Sequence, residues 1–202
     1  AQDNLGAESS GNVTAQIAVT PVNDAPTLTT FASTIDTTNE DTEVEVTFAE
    51  LAAQGNEADV DGTVDAFVVK SVTSGTLKIG ADAASATAWA ASTNDTIDAT
   101  LHAYWTPAAD ANGTLDAFAV VARDNLGAES TGNVTAQIAV TPVNDAPTLT
   151  TFASTIDTTN EDTEVEIRFA ALQAFGDEAD VDGSVDAFVV KSVSNGSLKL
   201  IE

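Results

Sequence analysis

The chain has 202 residues, 43% of them hydrophobic, which is enough for one or two ordinary domains with real cores. Its 32 acidic residues against six basic ones leave a formal net charge of −26. That balance excludes nucleic acid and disfavours an anionic membrane surface, because phosphate binding needs clustered Lys and Arg, and it makes divalent cations the first partner to consider, since unscreened carboxylates repel one another.

In chain order, alternating or β-branched runs predict seven strands, at 28–36 (LTTFASTID), 43–48 (EVEVTF), 64–73 (VDAFVVKSVT), 76–79 (TLKI), 100–105 (TLHAYW), 114–123 (TLDAFAVVAR) and 131–141 (TGNVTAQIAVT). Turn pairs separate them: Asp61-Gly62, Ser74-Gly75, Asn112-Gly113 and the DNLG at 124–127. Residues 49–54 (AELAAQ) read as one helical turn. The Ala-rich stretch 81–98 reads as a long loop with Trp89 pinned into the core.

An internal repeat organises the whole chain. At an offset of 121, only 14 of the 80 positions 1–80 differ from 122–201, and 11–45 match 132–166 without a change. A period of that size suits a whole sandwich domain strung like a bead. The segment TPVNDAPTLTT, at 20–30 and again at 141–151, lies between strand sets. Its prolines favour extended backbone, so it reads as a stiff linker. The expected organisation is the last strand of one module at 1–22, a complete module at 23–143, and the first half of another at 144–202. That half lacks any counterpart of 81–121 and is not expected to close its own sandwich. The rival register, 1–80 and 122–201 joined by 81–121, puts a proline-bracketed linker inside each domain. There is no Cys, so disulfides are not the staple. No apolar run approaches a membrane span and no leader-like segment opens the chain, which reads as an internal piece of something longer.

Acidic groups recur at fixed places: Asn23 and Asp24 in the linker, Glu40 and Asp41 in TTNEDTEVE, Asp59 and Asp61 in EADVDG, and Asp124 in ARDNLG. A hard cation such as calcium takes 6–8 oxygen ligands. No single short segment supplies that many, so a site would be assembled from loops meeting at one end of a sandwich. An EF-hand does not fit: counted from Glu57, position twelve is Val68 rather than Glu. His102 is the only histidine and has no Cys to join it, so it reads as a strand-face residue rather than a ligand or base. Trp89, Tyr104 and Trp105 are expected in the core, with a sugar-stacking platform as the alternative. No G-x-S-x-G and no phosphate loop occurs, and the chain reads as non-enzymatic.

VNDAP, TNEDT, the D-x-D-G element, YWTPAADANGTLDAF and VVARDNLGAES, in this order and spacing, resemble the bacterial cadherin-like (Ig-like) repeats of giant surface adhesins, including the RTX and biofilm-associated types. The resemblance spans the whole unit. It implies all-β, seven-stranded Ig-like sandwich modules in tandem whose junctions bind Ca2+. It also implies a role as a structural extender on the bacterial cell surface, outside the cell. The expected partners are calcium and neighbouring repeats of the same polypeptide, with no membrane insertion and the adhesin's ligand bound elsewhere. A carbohydrate- or ligand-binding module of a secreted protein is the alternative. Carried over by motif, one junction would use Asn23, Asp24, Asp59, Asp61 and Asp124. The next would use Glu40, Asn144, Asp145, Asp180 and Asp182. Asp3, the copy of Asp124, would serve the preceding junction, and Glu161, the copy of Glu40, the following one. The second junction lacks its counterpart of Asp124, and the motif does not decide whether Asp41 or Asp162 also binds.

Overall fold

The computed structural model describes residues 1–200, and all of its strands lie between Asp36 and Thr141. In chain order they are β1 (Asp36–Asn39), β2 (Val44–Val46), β3 (Val64–Val72), β4 (Thr76–Gly80), β5 (Thr87–Ala88), β6 (Thr96–Ile97), β7 (His102–Thr106), β8 (Gly113–Asp124) and β9 (Val134–Thr141). They form a five-stranded sheet in the order β1-β9-β8-β3-β6 and a four-stranded sheet in the order β2-β7-β4-β5. The inward positions of both sheets meet in one core. Phe67, Phe118, Val120 and Ile138 come from the first sheet, and Val46, Leu77, Ile79 and Trp105 from the second. Alternation in β2 and β9 follows the pleat, one face buried and one wet. The protein is thus mostly β, with two packed sheets.

Two expectations need correction. The run 28–36 is not a strand over its length, and β1 begins only at Asp36. Its backbone donors are intercepted by a side chain, because Asn56 Oδ1 accepts from both Thr29 N (2.9 Å) and Thr30 N (3.0 Å). Isolated bridges Thr27–Ala58 and Phe31–Gly55 hold the rest. The predicted loop 81–98 contains β5 and β6, which extend the two sheets, so seven expected strands become nine. Asn94 pins this stretch, its Nδ2 reaching the carbonyls of Thr87 (3.0 Å) and Ala88 (3.1 Å). Trp89 packs against the core partly buried and donates its Nε1–H to Val69 O at 3.2 Å.

A helix, α1 (Phe48–Gln54), lies over one end of the core, with Leu51 fully buried and Phe48 stacked at a tilt on Phe67, centroids 5.4 Å apart. It starts on a capping box: Thr47 Oγ1 accepts from Glu50 N, and Glu50 Oε2 accepts from Thr47 N at 2.7 Å. Its copy, α2 (Phe169–Phe175), has Arg168 and Ala171 at those two positions and no side-chain cap. Thr47→Ala should therefore cost about 1 kcal/mol, read as a lowered urea midpoint with unchanged slope. An unchanged midpoint would show that packing alone sets this helix.

Residues 1–22 and 144–200 share their sequence with parts of the sandwich and keep its isolated bridges (Gln2–Glu8, Thr148–Ala179 and Phe152–Gly176), but not its strand pairing. Residues 13–20 repeat β9 letter for letter, yet Val13, Ile17 and Val19 are exposed while Ile138 and Val140 are buried. Residues 144–200 contain no strand. They keep the local aromatic packing: Phe188 sits 6.3 Å from Phe152 and 5.4 Å from Phe169, matching the Phe67 contacts with Phe31 and Phe48. Among the described residues no helix is long and apolar enough to cross a membrane.

Candidate metal centre

The acidic loops collect at the two opposite ends of β8. At the Asp124 end, three segments converge. Asp124 is almost fully buried, and its Oδ1 accepts from Leu126 N (2.9 Å) and Ala128 N (2.8 Å), forming the DNLG turn. Its Oδ2 accepts from Asn23 Nδ2 at 2.7 Å, which ties the linker to the hairpin. The Asn23 amide, ahead of the Ala128 and Leu126 N–H groups, holds the Asp124 carboxyl below its ordinary range against the opposing effect of burial. Asp24 N donates to both oxygens of Asp61 at 3.2 and 3.3 Å, and Asp59 Oδ1 accepts from Asp61 N and Gly62 N. Asn125 closes the ring by accepting from Thr63 N at 3.1 Å.

Gly62 leaves room for the facing oxygens. A Cβ would lie 2.7 Å from Asn125 Oδ1 and 3.0 Å from Asp59 Oδ2, so any side chain would fill the space these oxygens face. Asn23 Oδ1 and Asp59 Oδ2 are both buried with no hydrogen-bond partner. Orphaned buried acceptors are costly unless something electropositive meets them.

At the Gly113 end of β8, Glu40 is buried, its Oε1 accepting from Val143 N and its Oε2 from Asn112 Nδ2 at 3.5 Å. Asp41 and Asp110 both adopt left-handed backbone, φ 55° and 58°, and Asp110 N donates to Asp41 Oδ1 at 3.4 Å. Carboxylate oxygens of Asp41, Asp110 and Asp145 all lie within 4.8 Å of one another. Asp145 N donates to both oxygens of Asp182 at 3.3 Å, repeating the Asp24–Asp61 contact, and Asp180 Oδ1 again accepts from the D-x-D-G backbone. Asp145 Oδ2 is buried and unpartnered. Burial first, then the negative charges of Asp110, Asp182, Glu40 and Asp41, push the Asp145 carboxyl above its ordinary value.

Comparison with protein families, with curated proteins and with solved structures finds no match. The chemistry of these two ends therefore rests on their own geometry.

Asn23, Asp24, Asp59, Asp61 and Asp124 meet at one end, and Glu40, Asp145, Asp180 and Asp182 gather at the other. Asn144 Nδ2 donates to Asp145 O at 2.9 Å. Asp3 builds the same turn as Asp124, through Leu5 N and Ala7 N at 2.9 Å each, but no hydrogen bond connects it to another acidic loop among the described residues. Glu161 is exposed, and its carbonyl, not its carboxylate, accepts from Thr163. Asp110, Asn112 and Asn125 were not singled out as ligands by motif. The signal for Asp110 was a carboxylate in a turn that the topology returns to the linker. Of the aromatic residues, Trp105 is fully buried with Nε1–H on Ser74 O at 2.8 Å, and Tyr104 is buried against Glu45. Neither offers a free face to a sugar. His102 sits on β7 with Nδ1 2.5 Å from Glu45 Oε1.

Proposed function

We propose that this protein is an extender segment of a large bacterial surface adhesin, in which calcium at the proline-bracketed linkers stiffens a rod of Ig-like repeats that supports adhesion or biofilm formation. The observation that carries the reading is the convergence of linker and strand-end carboxylates around orphaned buried oxygens: Asn23 Oδ1 and Asp59 Oδ2 at one end, Asp145 Oδ2 at the other. The donor set is all oxygen and mostly carboxylate, which suits a hard cation. The two ends also complement each other. One contributes Asn23, Asp24, Asp59, Asp61, Asp124 and Asn125, the other Glu40, Asp41 and Asp110. A junction between two whole repeats would hold both sets, too much negative charge for a bare interface.

Calcium, when bound, supplies the positive charge that lets these carboxylates approach. The chain's own residues do the positioning. Asp124 fixes the hairpin to the linker through Asn23, the D-x-D-G turn receives Asp24 or Asp145, and Glu40 receives the linker backbone at Val143. Prolines on both sides limit the linker's bend. With its longest strands, β3, β8 and β9, at 9, 12 and 8 residues and roughly 3.4 Å per residue, a repeat and its linker would add about 35–45 Å.

Small-angle scattering of the intact chain with calcium and with chelator tests the reading. The longest particle dimension should increase and its distribution narrow in calcium, and equal profiles would rule the extender mechanism out. Asp110→Asn is the discriminating variant, because Asn tolerates left-handed backbone while losing the charge. It should melt no lower than the parent in chelator and should lose most of the calcium-induced rise in Tm. A variant whose calcium response equals the parent's would remove Asp110 from the site.

A further inference from the structure

We infer that Asn112 is a spontaneous deamidation site, and that its conversion adds a carboxylate to the rim of the junction beside Glu40 and Asp110. The chemical half stands on the local geometry alone, while the consequence for cation binding rests on the calcium reading above.

Among the described residues Asn is followed by Gly at Asn112-Gly113 and at Asn195-Gly196. This dipeptide is the least hindered for cyclisation, because glycine has no Cβ to crowd the backbone nitrogen that must approach the amide carbon. Gly113 has φ 92° and nothing within 4 Å of where a Cβ would sit, and both Asn112 and Gly113 are exposed. The amide is lightly held. Asn112 Nδ2 donates to Asp110 O at 3.4 Å and to Glu40 Oε2 at 3.5 Å, both at the long limit of a hydrogen bond. Three other asparagines are less favourably placed. Asn23 Nδ2 is fixed on Asp124 at 2.7 Å, Asn94 Nδ2 reaches the Thr87 and Ala88 carbonyls, and Asn133 precedes the β-branched Val134.

In the reaction, Gly113 N attacks Asn112 Cγ. The N–Cγ bond forms, the Cγ–Nδ2 bond breaks, and ammonia leaves carrying the proton lost from Gly113 N. One water then opens the five-membered imide. Attack at Cγ restores the ordinary backbone with Asp, and attack at the main-chain carbonyl carbon leaves isoaspartate linked through Cγ. Either product bears a carboxylate where a neutral donor stood, and no oxidant or reductant is needed. Glu40 thereby loses a donor and gains a like charge beside its buried carboxyl. Without a cation this end of the sandwich is loosened. With one, the added charge tightens the site, since ligand charge count sets calcium affinity.

The intact chain, held for days in mildly alkaline chelator buffer and mapped by peptide mass spectrometry, tests the site. The Asn112 peptide should gain the mass of one deamidation and split into Asp and isoaspartate forms, as the Asn195 peptide does, while Asn23 and Asn94 keep their amides. An Asn112 amide that survives after Asn195 has converted overturns the inference. Asn112→Gln should block the change at that peptide. Asn112→Asp should melt below the parent in chelator and bind calcium roughly three- to tenfold more tightly. Identical calcium titrations of parent and Asn112→Asp would overturn the link to the junction. A parent that binds no calcium would instead sink the extender reading, and the mass result would still decide the modification.

Discussion

Trp105→Ala is expected to cost about 3–5 kcal/mol, a large share of the stability of an ordinary domain. Trp105 is the largest fully buried side chain of the sandwich. It stands on β7 opposite Val44 of β2 and Leu77 of β4, and its indole N–H is donated to Ser74 O at 2.8 Å. Truncation leaves a cavity between the sheets and an unpaired carbonyl in the turn before β4. The fit is close: a Cβ at Gly75, where φ is 66°, would meet Thr106 O at 2.2 Å and Trp105 Nε1 at 3.0 Å. Trp105→Phe keeps much of the apolar volume but loses the hydrogen bond and should cost less. Equilibrium urea unfolding followed by Trp89 fluorescence measures both. A cost below about 1 kcal/mol for the alanine variant would contradict the packing described above.

Asp124→Ala should lower Tm by several degrees in chelator as well as in calcium, which sets it apart from Asp110→Asn. Asp124 organises the DNLG turn through Leu126 N and Ala128 N and anchors the linker through Asn23. Bonds to an ionised acceptor are stronger than neutral ones, and removing that acceptor strands three donors. The pH dependence has a definite sign. Because the folded carboxyl sits below its ordinary value, its contribution is present above the unfolded value of 3.8 and is lost as pH falls further. Asp124→Asn retains shape but cannot accept as a charged group, and it should fall between parent and alanine. Equal melting of parent and Asp124→Ala in chelator would mean the turn is held by its backbone alone.

The strands bounded by Asp-Gly, Ser-Gly and Asn-Gly pairs were legible, because turn chemistry and period-two alternation agree there. The run at 28–36 misled because its alternation is real while its backbone donors go to the Asn56 side chain, a long-range capture that periodicity does not encode. The short β5 and β6 were hidden in an Ala-rich stretch whose extended form depends on Asn94 and on Trp89 reaching β3. Residues 13–20 and 134–141 teach the same lesson from the other side. Identical letters are exposed in one place and buried in the other, because an apolar pattern states which face wants cover and not whether a neighbour supplies it. At the candidate junctions, Asp59, Asp61 and Asp124 were visible as turn carboxylates. Asp110 was not, since it joins Asp41 and Asp145 only after β8 brings its turn beside the end of β9.

The order of strands in the larger sheet also fixes how the sandwich would respond to tension along the chain. β1 and β9 are its first and last strands, and they lie side by side in parallel from Asp36–Ile138 to Asn39–Thr141. Ile35 N on Gln137 O and Glu40 N on Thr141 O extend the seam at both ends. Tension applied before β1 and after β9 pulls these neighbours in opposite senses along their length. The seam is then sheared, its hydrogen bonds strained together, instead of being peeled open one at a time. Rupture under tension is a matter of unfolding rate rather than equilibrium stability. Under a pull applied at those two ends, the parallel seam would act as a clamp.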